Sequence, residues 1–519
     1  MKKQYVMGID FGTGGVRIGI FDLEGNEVIF RDEPFELITP KPGYAEQRPQ
    51  DWWATLCLAS NAAVRDSGIN PGDIIGIGTD MTTCTMMFLD KEMDPLYNAI
   101  MWMDVRAADQ AKRIAGCGHP VLRFNGFGNV SPEWMPCKTL WVKENLPDIY
   151  RKSSHILSCV DWLGYKLTGR IVKNLNDAAA RWYYDSNNGG WQADFFEATG
   201  LGDVMEKIPQ EVLPMGDLLG LLIKEAALAM GLKEGTPVAV GGGDAFVAML
   251  ALGAVRPGKV ALVTGSSHLF LFQSESPIHS SGLFGSFPNA VIPGLEMVEA
   301  GQSSTGSVVN WYKNKLCGMV GEQAEKEGLK VYDILNREAE KLPIGSEGLI
   351  CLDYFQGNRT PYTDGQVRGM IGGLTLMHSP YHIYRALVES ICYGTEVIFG
   401  NFEKNGMRPA EVYACGGAVK SRFWMQAHAD VSNVPVNIPR VSEAPALGSA
   451  IMSAVVGGAY RDLVSASDHM VKIIDRIEPD RERHEEYKYY VNKYAQLYPM
   501  MAEWTHDLVE HEKSRSEHL

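Results

Sequence analysis

The sequence predicts an α/β protein built from two related domains that face each other across a cleft. Three observations carry this. The chain has 519 residues, too many for a single hydrophobic core. Apolar strand patterns alternate with amphipathic helical ones. An apolar strand that breaks into a Gly/Ser/Thr turn recurs over residues 5–14, 259–267 and 412–417, the mark of an internal duplication. The division expected is residues 1–246, residues 247–480 and a charged helical tail over residues 481–519, frayed from His511 onward.

The first strand ends on Asp10, passes Gly12, Thr13, Gly14 and Gly15, and gives way to a second apolar strand that closes on Asp22. Glycines at such a turn permit positive φ and let backbone N–H groups approach a ligand. Asp10, at the strand end, can hold a hydrated Mg²⁺ against phosphate. The segment therefore reads as a phosphate-binding hairpin. The chain has no G-x-x-x-x-G-K-[ST], and no G-x-G-x-x-G opens a helix after the N-terminal strand.

Downstream, Asp51, Trp52 and Trp53 open an amphipathic helix. Residues 74–80 read as a buried strand ending in polar groups, and residues 86–89 as a short apolar strand turned at Asp90 and Lys91. Residues 134–170 read as helical, with Thr168 and Gly169 as the stop. The second half opens near residue 237 with a strand leading into Gly241, Gly242, Gly243 and Asp244. A strand over residues 259–264 then breaks at Gly265, Ser266 and Ser267, and another over residues 412–415 breaks at Gly416 and Gly417 before a helix from about Ser421.

A net charge of −15 argues against a nucleic-acid or anionic-membrane surface. Nine cysteines without C-x-x-C spacing suggest free thiols in a reducing compartment. No leader and no membrane-length apolar run is visible, so a cytoplasmic enzyme is expected.

Six segments in order give the chain a specific resemblance. They are the Asp10 hairpin, residues 98–106 (N-A-I-M-W-M-D-V-R), Gly243-Asp244-Ala245, Gly265-Ser266-Ser267, Gly416-Gly417 with Lys420 and Ser421, and residues 443–450 (E-A-P-A-L-G-S-A). Together they resemble the FGGY carbohydrate kinases, which implies two actin/Hsp70-like (ribonuclease H-like) domains. The resemblance implies ATP and Mg²⁺ as cofactors and Asp244 as the general base, within reach of the reacting hydroxyl. The alternative role for Asp244 is a helix cap. Asp10, Gly12, Thr13 and Gly14 would meet Mg²⁺, through water at Asp10, and the β/γ-phosphates. Gly265, Ser266 and Ser267 would meet those phosphates from the other domain, with Ser266 where the family usually has Thr. Gly416 and Gly417 would border adenosine.

The stretch 79–85 (T-D-M-T-T-C-T) lacks the Arg-Glu pair of glycerol kinases and resembles the ribulokinase pattern. Residues 131–138 (S-P-E-W-M-P-C-K), 299–306 (E-A-G-Q-S-S-T-G) and 357–361 (G-N-R-T-P) point the same way. The resemblance implies acceptors from Asp80, Glu299 and Asp244, and a cation, indole N–H and stacking wall from Arg181 and Trp102. Arg181 replaces a family Lys, which leaves the sugar open. Arg359 is read as a structural ion-pair partner and left outside the site. The expected activity is ATP-dependent phosphorylation of a pentulose, ribulose first. Erythritol, ribitol, xylulose or an autoinducer-2-type ketone are the alternatives, and an actin-like ATPase without sugar substrate is the remote one. The expected partner is a small sugar or polyol, with no nucleic acid or membrane, and a homodimer is the assembly the family suggests. Cleft closure over both ligands is expected to exclude water.

Overall fold

The computed structural model describes residues 3–516 apart from Ser281 and Ser442. Two seven-stranded sheets, one in each half of the chain, form its frame. The first contains β1 (Tyr5–Phe11), β2 (Gly15–Asp22), β3 (Glu27–Pro34) and β4 (Ile74–Met81). It is completed by β5 (Leu218–Leu221), β6 (Pro237–Ala239) and β7 (Gly242–Gly243). Its order is β5-β6-β4-β1-β2-β3, and β7 pairs with β4 beyond the end of β6. The second contains β8 (Lys259–Thr264), β9 (His268–Ser274), β10 (Gly285–Pro288) and β11 (Glu296–Gln302). With β12 (Glu411–Gly416), β13 (Val436–Pro439) and β14 (Ile473–Ile477) it runs β10-β11-β9-β8-β12-β13-β14.

The two sheets repeat one plan. β1 pairs antiparallel with β2 and parallel with β4, as β8 does with β9 and β12. β4 then pairs parallel with β6, and β6 antiparallel with β5, as in β12, β13 and β14. The duplication, faint in residue identities, is complete in strand order and sense. β1 and β4 are apolar almost throughout because both of their faces are covered.

Helices cover the sheets: α1 (Pro49–Ser67), α2 (Leu175–Trp182) and α3 (Asp244–Leu252) in the first half. The second half supplies α4 (Gly306–Leu316), α5 (Pro380–Lys404), α6 (Arg422–Ser432), α7 (Ala444–Val456) and the long terminal α8 (Arg481–Ser516). α7 decides how the halves meet. Its small residues let its backbone lie directly on the first sheet, where a Cβ on Gly8 would stand 1.9 Å from Ala446 O and one on Gly78 2.0 Å from Ser449 O. A Cβ on Gly448 would likewise stand 2.2 Å from Val247 O of α3. Ser453 Oγ donates to Met7 O at 2.6 Å. A helix from the second half is thus keyed into the strands that carry Asp10 and Asp80.

Three expectations are corrected. The helical reading of residues 134–170 is interrupted: the helices Met135–Asn145, Pro147–Lys152 and Cys159–Thr168 are separated by a strand, His155–Ser158. That strand pairs with Met86–Leu89, so edge pairing overrides the helical pattern. Gly169 does stop the last helix, at φ 74°. The glycines of the first hairpin do not use positive φ; Gly15 is required by closeness, its Cβ position lying 2.6 Å from Glu33 O. The tail stays helical through Ser516, and the remainder of the fraying expectation lies outside the described residues. No helix among the described residues is long and apolar enough to cross a membrane, and all nine cysteines are free thiols.

Gly78→Ala should lower stability by about 3 kcal/mol, because its Cβ meets a backbone oxygen that no rotamer change can move. Gly14→Ala, with nothing within 4 Å of its Cβ position, should change stability by less than about 0.5 kcal/mol. Thermal unfolding of the two variants checks the contrast.

Candidate active site

Strand register assembles the centre. Asp10 pairs with Asp80 across β1 and β4, and Asp80 with Gly242 across β4 and β7. Asp10, Asp80 and the approach to Asp244 therefore meet at the carboxyl ends of parallel strands, where ligands of open α/β sheets bind. Arg17 Nη1 donates to Asp10 Oδ2 at 3.0 Å, and Arg17 also stands 3.6 Å from Glu443. Ser449 Oγ of α7 donates to Asp80 Oδ2 at 2.7 Å. Oδ1 of each acid is buried with no donor from outside the pair. Burial and the Asp10 charge hold Asp80 well above the ordinary carboxylate range; burial raises Asp10 as well, opposed by its bonds from Asp80 and Arg17. Adjacent buried acids cannot both ionise without large cost, and the stronger upward push falls on Asp80. Asp80, expected among the sugar contacts, is completely buried and lies between Ser449 and Asp10.

Asp244 begins α3, with Gly243 rather than itself at the cap position. Its Oδ1 accepts from Ala245 N at 2.8 Å and from Thr83 Oγ1 at 3.3 Å. The Thr83 backbone also bonds the carboxylate, and the residue is half-buried. Burial, and then the Asp10 charge, push Asp244 up to about 6. The preceding glycines serve close packing: Cβ atoms on Gly241, Gly242 and Gly243 would fall 2.5 Å from Val160, 2.5 Å from Met215 and 2.3 Å from Thr83. Asn176 Oδ1 of α2 accepts from Gly243 N at 3.0 Å and fixes the approach.

The first hairpin presents Gly12, Thr13 and Gly14 at its tip, Gly14 exposed. Trp102 Nε1 donates to Thr13 Oγ1 at 3.0 Å and Gln47 Nε2 to Thr13 O at 2.8 Å. The Trp102 indole N–H, expected to serve a sugar, is thus engaged by the hairpin, while its ring remains 38% exposed. Lys138, completely buried, donates to Cys84 O at 2.8 Å and Met101 O at 2.6 Å. One ammonium therefore clamps the turn bearing Thr83 to the segment bearing Trp102.

In the second half, Gly265, Ser266 and Ser267 form the tip between β8 and β9, with Gly265 and Ser266 exposed. Ser266 O accepts from Thr305 N and Ser307 N, each at 3.0 Å, so the tip is tied to the start of α4. Gly416 sits at φ 95° with its Cβ position 1.9 Å from Thr264 O; only glycine fits. Gly417 has open space beside it, and both are exposed.

Arg181 and Glu299 are buried and meet across the halves, Arg181 Nη2 donating to Glu299 Oε2 at 3.0 Å. The guanidinium lies 5.1 Å from the Phe246 ring centre, two residues past Asp244, and within 5.9 Å of Phe284, Phe287 and Trp134. Its Nε has no partner. A caged cation with an unused N–H suits hydroxyl recognition.

Residues 5–251 match the N-terminal domain model of the FGGY family of carbohydrate kinases, and residues 260–456 match its C-terminal domain model. The chain belongs to the FGGY carbohydrate kinase family. A protein of Geobacillus thermodenitrificans named ribulokinase is 34% identical, aligned over 98% of this chain and 96% of the relative. An FGGY carbohydrate kinase domain-containing protein of Xenopus laevis is 33% identical over 95% of each. The crystal structure of xylulose kinase from Rhodospirillum rubrum superimposes with a TM-score of 0.86 at 26% identity, covering 97% of this chain and all of that one. The expected two-domain actin/Hsp70-like fold and the assignment to phosphotransferases acting on an alcohol follow.

The structure also brings in residues that carried no assigned role: Arg17, Thr83, Asn176 and Ser449. Thr83 and Ser449 lie inside segments quoted for the resemblance, but only tertiary structure shows what they touch. Because the carboxylate of Asp244 is raised, the folded state is penalised increasingly between about pH 4 and pH 6 and fully above pH 6. Asp244→Asn should therefore raise Tm at pH 8, and the gain should fade toward pH 4, as followed by calorimetry.

Proposed function

We propose that the chain transfers the γ-phosphate of ATP to the terminal hydroxyl of a pentulose, ribulose, with Asp244 as general base. The observation that carries this reading is the Asp244 carboxylate. Ala245 and Thr83 tether this carboxylate, and Phe246 links the residue to the Arg181–Glu299 pair. The tether orients the acid, and its remaining lone pairs can take the hydroxyl proton. A base near 6 is ionised at neutral pH yet basic enough to accept a proton as the O–P bond forms.

Both exposed hairpin tips are suited to phosphate oxygens, Gly12, Thr13 and Gly14 from one half and Gly265, Ser266 and Ser267 from the other. Gly416 and Gly417 leave flat backbone for adenosine. The unpartnered Oδ1 of Asp10, in a cluster of three acids with Arg17 as the adjacent cation, fits a divalent ion. Among the described residues no three His, Cys, Asp or Glu side chains converge to ligate a metal, so Mg²⁺ would be held through water at Asp10. When bound it would neutralise phosphate charge. Glu299 and Arg181 would bind acceptor hydroxyls. Ribulose is preferred because the Geobacillus relative bears that activity in its name and because the stretch 79–85 lacks the Arg-Glu pair of glycerol kinases. The free thiols fit a reducing, cytoplasmic setting.

A coupled ATP-consumption assay over ribulose, xylulose, erythritol, ribitol and glycerol tests the reading. Ribulose should give the highest kcat/KM; equal turnover of glycerol would reject it. The acid limb of kcat/KM should titrate near pH 6. Asp244→Ala should lower turnover at least about 10³-fold with every acceptor, and Glu299→Ala should raise the acceptor KM more than the ATP KM. Small-angle scattering should show compaction with sugar plus a non-hydrolysable ATP analogue; an unchanged radius of gyration would refute closure.

A further inference from the structure

This inference rests on the reading of the chain as a kinase of a polyhydroxy acceptor and concerns Arg359, whose expected ion pair is not made. Other buried or half-buried arginines have carboxylate partners: Arg17 with Asp10, Arg106 with Glu46 and Asp104, Arg385 with Glu389, Arg408 with Glu396. Arg359 is half-buried, and its guanidinium has neither hydrogen bond nor ion pair among the described residues. It stacks on Phe284, its Cζ 4.9 Å from the ring centre. The same ring lies 5.9 Å from Arg181 Cζ.

The loop that carries Arg359 is firmly placed. Thr360 N donates to Gly301 O at 3.2 Å, and Gly301 N donates to Thr360 Oγ1 at 3.3 Å. Asn358 and Asp364 exchange backbone bonds of 2.7 and 2.9 Å. Tyr498 and His506 of α8 hold the Asp364 carboxylate at 3.1 and 2.7 Å. Gly301 shares the Glu299 face of β11, two residues on, and its missing side chain makes room: a Cβ there would meet Arg359 Cδ at 3.5 Å and Nη1 at 3.6 Å. The contacts thus run from Asp244 through Phe246, Arg181 and Phe284 to Arg359.

We propose that Arg359 is an acceptor-binding residue that grips hydroxyls remote from the one that reacts. Its planar fork spans adjacent hydroxyl oxygens, which a point charge cannot do. Arg181 is paired with Glu299, and the charge of Arg359 is matched by that of Asp244, so the site offers no surplus positive charge to an anionic acceptor. The substrate class is a neutral polyhydroxy chain long enough to reach from Asp244 to Arg359, which makes this residue a determinant of acceptor length.

Arg359→Met keeps the stem on Phe284 and removes the fork; Arg359→Lys keeps the charge alone. Steady-state kinetics on ribulose and dihydroxyacetone, with ATP titrations and tryptophan-fluorescence titration of ribulose, form the test. Arg359→Met should lower kcat/KM for ribulose about 10- to 100-fold, mainly through KM, and weaken ribulose binding in parallel. It should leave the ATP KM, Tm and dihydroxyacetone turnover unchanged, and Arg359→Lys should recover only part of the loss. Ribulose kinetics within threefold of wild type, an equal loss on both acceptors, or a raised ATP KM would overturn the proposal. Should the wild-type enzyme phosphorylate no pentulose, the parent reading fails. Titration of whichever polyol the wild type binds, against Arg359→Met, then decides Arg359 alone.

Discussion

Three carboxylates at the ends of adjacent parallel strands, with Arg17 as the adjacent cation, are the constraint around which this molecule is arranged. Left unbalanced, such a cluster would push strands apart. It is tolerated because Asp80 is pushed toward its neutral form, Ser449 satisfies that acid from the second half, and Arg17 bonds Asp10. Burial, with the residual negative field added to it, lifts Asp244 toward neutrality. On the proposed reading, the same crowding would both attract a cation and tune a base.

Holding the cluster requires the halves to be built together. Ser449 reaches Asp80 only because Gly8, Gly76 and Gly78 let α7 approach the first sheet at backbone distance. The site and the junction between halves are therefore the same piece of packing. Any relative movement of the halves would have to occur beyond α7, because a helix keyed by backbone contacts cannot slide without losing them.

Much of this was legible in the sequence. The hairpin ending in Asp10, the Gly-Asp start of α3 and the turns at Gly265 and Gly416 all follow from apolar runs broken by small residues, a local signal. What stayed hidden depends on contact across long sequence separations. Nothing near Asp80 says that Ser449 will cover it, so its burial was missed. The Trp102 indole reads as a free donor until Thr13 is seen beside it. The strand His155–Ser158 was lost inside a helical pattern because its pairing partner lies about seventy residues earlier. Arg359 was misjudged for the opposite reason, since the ion pair that its type usually makes is absent.

The arrangement of cations explains how a strongly acidic protein can handle an anionic nucleotide without a basic surface. At net −15 it has no general attraction for phosphate, and neither hairpin tip carries a Lys or Arg among its exposed residues. On the reading proposed above, phosphate would be met by backbone N–H groups, hydroxyls and a metal ion, each effective only at contact distance. The arginines are placed deeper, Arg181 paired with Glu299 and Arg359 stacked on Phe284. Keeping cations away from the tips and beside the proposed acceptor site would separate the two recognitions. Nucleotide would then be fully enclosed only when both tips converge on it, and that convergence would also remove water from Asp244.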